Sequence, residues 1–374
     1  MVVIREAKTR KDFKKFVKFP TELYKDNPYY VPPFELDELN LTNPKKNASF
    51  EDTDAIYFLA ERDGKVVGRI AGLICHLYNK KNNAKRARFS RFDFIDDAEV
   101  ADSLLKAAED WARSKGMVDI HGPLGFNDLE REGLLVEGFE TIGTYQGSWN
   151  AAYYKDHIER NGYVPDAKWV EWRFKSEDKK VDERVQRVAK IVETRYGFHE
   201  AKIKSAREVI KKYGRDFFKL LDECFEPLYG TIPFTDKLVD QTIGLFKLII
   251  DTDYVSIILD KNGELAAFGL GYASLARAIQ KAKGRYLPFG WIHILHAIKH
   301  PKYLELGLVA VKPKYQKMGL TALIINNMMQ RIVNNGIIYC DTGCQLETNT
   351  AVLSAFDMID RELIRRKTCY LKKL

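Results

Sequence analysis

The sequence predicts an α/β protein built from two similar halves in tandem. At 374 residues the chain is long for a single core, so two domains are expected. Signals for helix, hairpin, strand, helix, strand, helix and strand run in the same order in each half. One stretch, Leu304–Thr321 (LELGLVAVKPKYQKMGLT), reads as a buried strand, a turn, a glycine loop and the start of a helix.

In the first half, Val2–Arg5 reads as a short strand and Thr9–Phe19 as a helix. The prolines of FPTELYKDNPYYVPPFELDEL argue against regular structure there, and its aromatics suggest a packed cover. Two apolar runs in Ala55–Ala71 flank Asp63-Gly64, a tight-hairpin signal. Lys80, Lys81, Lys85, Arg86 and Arg88 form a basic loop that reads as a solvated loop or an anion or RNA patch. Phe89–Ile95 is a strand. Asp96 caps a helix that presents Leu104, Leu105, Ala108 and Trp111 and ends at Gly116. Met117–His121 is a strand, 122–147 has weak periodicity with many glycines and acids, Trp149–Arg160 is a helix, and Trp169–Phe174 closes the half.

The polar run Lys175–Glu183 places the domain junction, giving domains 1–176 and 177–374. In the second half, Asp253–Leu270 repeats the hairpin. One offset separates Gly64 from Gly263 and Asn150 from Asn349. A larger one separates the helix-ending Gly116 and Gly336, because the second half carries extra residues over Ala276–Pro301.

The composition, 45% hydrophobic and 30% charged, is that of a soluble globular chain. The net charge of +8 favours anionic ligands. No run approaches the ~18 apolar residues of a membrane span, so no membrane partner is expected. The N-terminus lacks a signal-peptide core, and five scattered cysteines read as reduced thiols of a cytoplasmic protein.

A strand that feeds a helix through a glycine loop exposes backbone N–H groups at the positive end of the helix dipole, a site suited to a diphosphate. Val311, Pro313, Gln316 and Gly319 stand at the spacing V-x-P-x-x-[QR]-x-x-G-x-[GA], with Thr321 in the last place. This resembles motif A of the GNAT (GCN5-related) N-acetyltransferases. The resemblance implies two tandem GNAT-like domains, each a mixed, mostly antiparallel sheet flanked by helices. It also implies acetyl-CoA, or another acyl-CoA, as co-substrate, with no metal. Residues implied to hold CoA are Val309, Val311, Gln316, Lys317, Met318, Gly319, Leu320 and Thr321, with Asn349 on the pantetheine arm. The first half also resembles the N-terminal half of uncharacterised bacterial tandem proteins, in LYKDNPYYVPP, DGKVVGRI and LLVEGF.

Shifted by the larger offset, the first half carries Asp96-Asp97-Ala98-Glu99 where the phosphate loop stands in the second. Acidic side chains there satisfy the dipole themselves and repel a diphosphate. CoA binding is therefore assigned to the second half, beside Lys312, Lys314 and Lys317.

Acyl transfer to an amine needs a base and a proton donor for the leaving thiolate. By the resemblance, Glu305 on the strand before motif A is the base, with Glu347 a second carboxylate near the strand end. The tyrosine that serves as acid in the family is Phe356 here, so Tyr303, Tyr339, Tyr229 or water would take that role, and Tyr229 is also a candidate substrate contact. Cys340 and Cys344 read as buried thiols. His293, His296 and His300 read as one helix face packed on nearby aromatics. The expected activity is transfer of an acetyl group to a small-molecule or peptide amine. A Fem-like aminoacyl-tRNA-dependent transferase and a non-catalytic ligand-binding scaffold are the alternatives. Nucleic acid is not the expected partner.

Overall fold

The computed structural model describes residues 1–145, 147–176 and 181–374. Residues 177–180, at the heart of the expected junction, lie outside the described residues.

The first half contributes strands β1 (Val3–Glu6), β2 (Thr53–Arg62), β3 (Lys65–Cys75), β4 (Arg86–Phe94), β5 (Asp119–Gly122), β6 (Leu134–Glu137) and β7 (Val164–Lys175). The second contributes β8 (His199–Glu200), β9 (Val255–Leu259), β10 (Leu265–Ala273), β11 (Tyr303–Val311), β12 (Tyr339–Thr342), β13 (Gln345–Leu346) and β14 (Glu362–Lys373). All join one sheet in the order β1-β2-β3-β4-β5-β14-β7-β12-β11-β10-β9-β8, with β6 on β14 and β13 on β7. Exchanging each strand for its counterpart in the other half reverses this order onto itself. The two halves are thus related by a pseudo-twofold, and their last long strands have traded places. β14 lies against β5 of the first half, and β7 against β12 of the second.

The hairpins follow from the sequence. Asp63 and Gly64 take left-handed conformations (φ 51° and 73°) between β2 and β3, as a two-residue turn requires. The parallel pairs β4–β5 and β11–β12 follow long helices, Ala98–Ser114 and Leu320–Asn334. Leu104, Leu105 and Ala108 of the first helix, and Leu320, Leu323 and Ile324 of the second, are buried on their sheets. On the opposite face of the second half, the helix Ala206–Phe225 packs Phe217 flat on Phe268, ring centroids 3.7 Å apart. The helix Asp236–Ile249 adds Phe246 to this layer.

The first fifty residues are more regular than expected. The helix Arg10–Leu23 runs through Pro20, and Glu35–Leu41 is also helical. A proline inside a helix removes one hydrogen bond, but Phe16, Val17, Phe19 and Pro20 are buried together, and that packing offsets the loss. The helix expected from Trp149 begins only at Tyr154. The side chain of Asn150 is spent on the backbone of Leu135 instead, accepting from its N–H (2.8 Å) and donating to its carbonyl (3.1 Å).

The exchanged strands meet in a buried charge cluster. Glu171 on β7 accepts from Arg365 (2.5 Å) and Lys367 (2.6 Å) of β14, and all three side chains are 1% exposed. Burial pushes the Glu171 carboxyl up, but the two cations outweigh it and hold it down at about 2. Nearby, Arg173 grips Asp341 through two hydrogen bonds of 2.7 and 2.8 Å and lies over the Tyr339 ring. Gly138 (φ 87°) lets the first half approach β14, since a Cβ there would stand 2.0 Å from the Ile364 carbonyl oxygen.

Candidate active site

β11 and β12 run parallel from Tyr303–Tyr339 to Leu306–Thr342 and then part. A cavity of ≈ 220 Å3 opens where they separate. Leu306–Val309 line one side and Gly343–Leu346 the other, with Thr321, Ile324 and Met328 of the long helix below. The carbonyl-side oxygen of Gln345 (Oε1) is buried there without a hydrogen-bond partner among the described residues. An N–H of a pantetheine amide or an amine would satisfy it.

Glu305 sits where the strands part, 2% exposed. It accepts from the Ser274 hydroxyl (2.8 Å) and from the backbone N–H of Tyr145 (3.1 and 3.2 Å). Burial raises its pKa to about 7, and those two hydrogen bonds limit the rise. Tyr145 belongs to the weakly periodic segment of the first half, so the two halves build this site jointly. The same segment brings Asp128, Glu130 and Glu132 to the cavity wall. Burial raises Asp128 to about 7; burial and then the charge of Asp128 raise Glu132 to about 8. Sequence reasoning missed these three acids. The available signal was acids clustered in a glycine-rich segment with no helical or strand period, the composition of a functional loop.

The loop expected to hold the diphosphate is a short 3-10 turn, Pro313–Met318, followed by Gly319 at φ 79°, which is also the N-cap of the long helix. Gln316 and Lys317 are exposed, Met318, Gly319 and Thr321 half-buried, and Val311 and Leu320 buried. A Cβ at Gly319 would stand 3.2 Å from Val192 and 3.3 Å from Val188, on the helix Glu183–Tyr196. Gly319→Ala is therefore expected to destabilise the fold by about 1 kcal/mol or more, read as a lower midpoint in urea with an unchanged slope. Thr321→Glu is the cleaner probe of the loop, because Thr321 faces the cavity. In the first half, Asp97 caps the corresponding helix, and Asp97 and Glu99 are held by Arg62 (2.7 and 2.9 Å), so that helix start is filled by the chain's own carboxylates.

The remaining expected residues divide. Val309, Asn349, Tyr229 and Phe356 line the cavity. Tyr229 bonds Asp166 (2.5 Å) and His121 Nδ1 (2.7 Å), and burial and that carboxylate push its pKa up. Phe356 packs on Phe174. Tyr303 packs at a tilt on Tyr339, and Glu347 pairs with Arg366; neither lines the cavity. Cys344 is a free thiol in the cavity wall, pushed up by burial, and Cys340 is a buried free thiol.

Two expectations are corrected. His293, His296 and His300 are exposed rather than packed on aromatics, because Ile294, Ala297 and Ile298 take the inward face. Among the described residues no group of histidines, cysteines and acids could hold a metal ion. The basic loop is not a free patch: Arg86 pairs with Asp119 (2.6 Å), Arg88 is buried, and Lys81 donates to the Glu226 carbonyl (2.6 Å).

A sheet that splays between two parallel strands, with a glycine-capped helix on one of them, defines the architecture of acyl-CoA N-acyltransferases. Residues 215–356 match the model of the acetyltransferase (GNAT) family. Over the whole chain the fold is similar to that of a tandem GNAT protein from the clavulanic acid biosynthesis pathway (TM-score 0.59, 10% identity, 98% of that structure covered). A GCN5-related N-acetyltransferase from Sphaerobacter thermophilus is similar at a TM-score of 0.52, with 10% identity and 95% of that structure covered. The second half thus carries the match to the GNAT family's model, and the chain as a whole shares the fold of tandem GNAT structures. In sequence it is 26% identical to Protein YghO of Escherichia coli (strain K12), over 100% of this chain and 95% of that protein. It is 27% identical to a bacterial ceramide synthase of Caulobacter vibrioides, over 83% of this chain and 80% of that protein.

Proposed function

We propose that the chain is an acyl-CoA-dependent N-acyltransferase whose acceptor is a long-chain primary amine, with the reaction in the cavity between β11 and β12. The observation that carries this reading is Glu305, a buried carboxylate with a pKa near neutrality where the strands part. The apolar lining, Phe225, Leu228, Phe246, Met328 and Phe356 among it, supports a longer chain than an acetyl donor and a small amine require, and so does the similarity to a ceramide synthase. In this reading Gly319–Thr321 and the lysines around them receive the diphosphate, and Gly343–Gln345 and Asn349 the pantetheine arm. Glu305 and Asp128, each partly ionised near pH 7, draw in the cationic amine. Glu305 takes its proton, the nitrogen bonds to the thioester carbon, and the carbon–sulfur bond breaks. Glu132, still protonated at neutral pH, gives its proton to the departing thiolate and regains one from the nitrogen, which sheds its second proton as the amide forms. The domain boundary at 176/177 stays part of this proposal.

The test is release of free CoA thiol, with acetyl-CoA and hexadecanoyl-CoA each offered to sphinganine and to short amines. Turnover is expected for the long acyl donor with the long-chain amine. Faster turnover of acetyl-CoA on short amines, or none on any pair, would sink the reading. The pH profile is a second test. kcat/KM should rise through about pH 7 as Glu305 ionises and fall above about pH 8 as Glu132 loses its proton. Ser274→Ala removes a hydrogen bond that favours the ionised form, so it should move the rising limb to higher pH.

A further inference from the structure

Between Glu264 and Glu305 the sequence contains no acidic residue. This stretch carries the residues that the second half gains over the first, and it folds as two short helices, Ala276–Ala282 and Gly290–Lys299, joined by a loop. The second helix has two apolar faces. Ile294 and Ile298 point inward, while Trp291, Ile292 and Leu295 stand in solvent. The loop before it adds Leu287, 75% exposed, and Phe289, 68% exposed. Five large apolar side chains thus share one exposed patch, whereas such residues elsewhere on the surface are scattered. Lys281, Lys283, Lys299 and Lys302 around it are exposed too.

The inward face has its own setting. Ile294, Ile298 and Tyr286 help to wall a second cavity of ≈ 570 Å3, where the parallel strands of the first half, β4 and β5, part. Leu129, Glu130 and Phe246 line both this cavity and the one at Glu305.

We propose that the helix Gly290–Lys299 and the loop before it dock in the plane of an anionic lipid bilayer. Trp291 and Phe289 enter the headgroup boundary, the lysines meet anionic headgroups, and the cavity behind the helix is brought to the membrane surface. An aromatic and aliphatic face on a stretch with exposed lysines and no acid of its own, the neighbouring Glu35 being paired with Arg285 and Asp37 bonded to Tyr286, is the composition of an interfacial helix. The lack of a membrane-spanning run in the sequence bears on spanning alone; a helix lying in the interface needs no such run. The inference does not depend on the acyl-transfer reading, since it concerns binding and not turnover.

The test is co-sedimentation of the full chain with phosphatidylcholine vesicles, with and without about 30% phosphatidylglycerol. Binding is expected to the anionic vesicles, with a blue shift of tryptophan emission that Trp291→Phe removes. Phe289→Asp/Trp291→Asp should weaken binding at least tenfold with an unchanged thermal midpoint, because both side chains are exposed and outside either cavity wall. Each of Lys281→Gln and Lys299→Gln should weaken binding about fivefold, on anionic vesicles only. Failure of the intact protein to bind, or undiminished binding by the double variant, would overturn the proposal. So would a dimer that the double variant dissociates, in a protein that ignores vesicles, since the patch would then belong to a second copy. Vesicle binding by a protein that turns over no amine would sink the acyl-transfer reading and leave this one standing.

Discussion

Glu305→Gln is expected to lower kcat/KM by 10^2- to 10^4-fold, the usual contribution of a positioned base, while leaving acyl-CoA binding within a few-fold of the parent. The amide keeps an oxygen that can accept from Ser274, so the cavity keeps its shape and the defect falls on proton removal. The same variant has a stability signature. The carboxyl is raised from 4.5 to about 7 in the folded chain. A raised pKa contributes stability that is fully present below the unfolded value and lost as pH rises through the folded one. Glu305→Gln should therefore be the more stable protein at pH 8, by on the order of 3 kcal/mol, with the advantage vanishing near pH 4. Urea midpoints across that range check the stability claim, and calorimetric titration with acyl-CoA checks the binding claim. An active Glu305→Gln would remove Glu305 from the chemistry.

The second large effect is expected at the exchanged strands. Arg365→Leu leaves the buried Glu171 with one paired cation, Lys367, in place of two, and should cost about 3–5 kcal/mol. Removing 362–374 should do more. It takes away the neighbour of both β5 and β7 together with Arg365 and Lys367, so neither half completes its sheet. For the same reason residues 1–176 expressed alone should show no cooperative thermal transition, although they hold a full set of strand and helix signals. A sharp transition in that fragment would mean that β7 folds back into the place that β14 occupies.

This exchange could not be read from the chain. The hairpin at Asp63-Gly64, the long helices ending near Gly116 and Gly336, and the strand before motif A all declare themselves through local period and turn chemistry. Which of two similar closing strands pairs with which sheet is decided by long-range complementarity. Glu171 must find Arg365 and Lys367, and Gly138 must meet Ile364. The candidate site was legible to a similar depth. Glu305, Val309 and Thr321 follow from one motif and its strand, Asn349 from the helix that it opens, and all line the cavity. Asp128, Glu132 and the Tyr145 N–H reach it from the other half through a segment without period, where no spacing rule applies. Tyr303 lies outside because it sits where β11 still runs hydrogen-bonded to β12, before the strands part.

The traded strands also set the order in which the molecule can be assembled. β5 ends at Gly122, and its neighbour β14 begins only at Glu362. On a ribosome adding 5–20 residues per second, the intervening stretch takes on the order of 10–50 s to appear. During that time the first half carries an open strand edge into a crowded cell, and β7 is the nearest strand able to cover it wrongly. The half that is made first is thus the last to be completed, and its open edge is where wrong strand pairing is expected during synthesis.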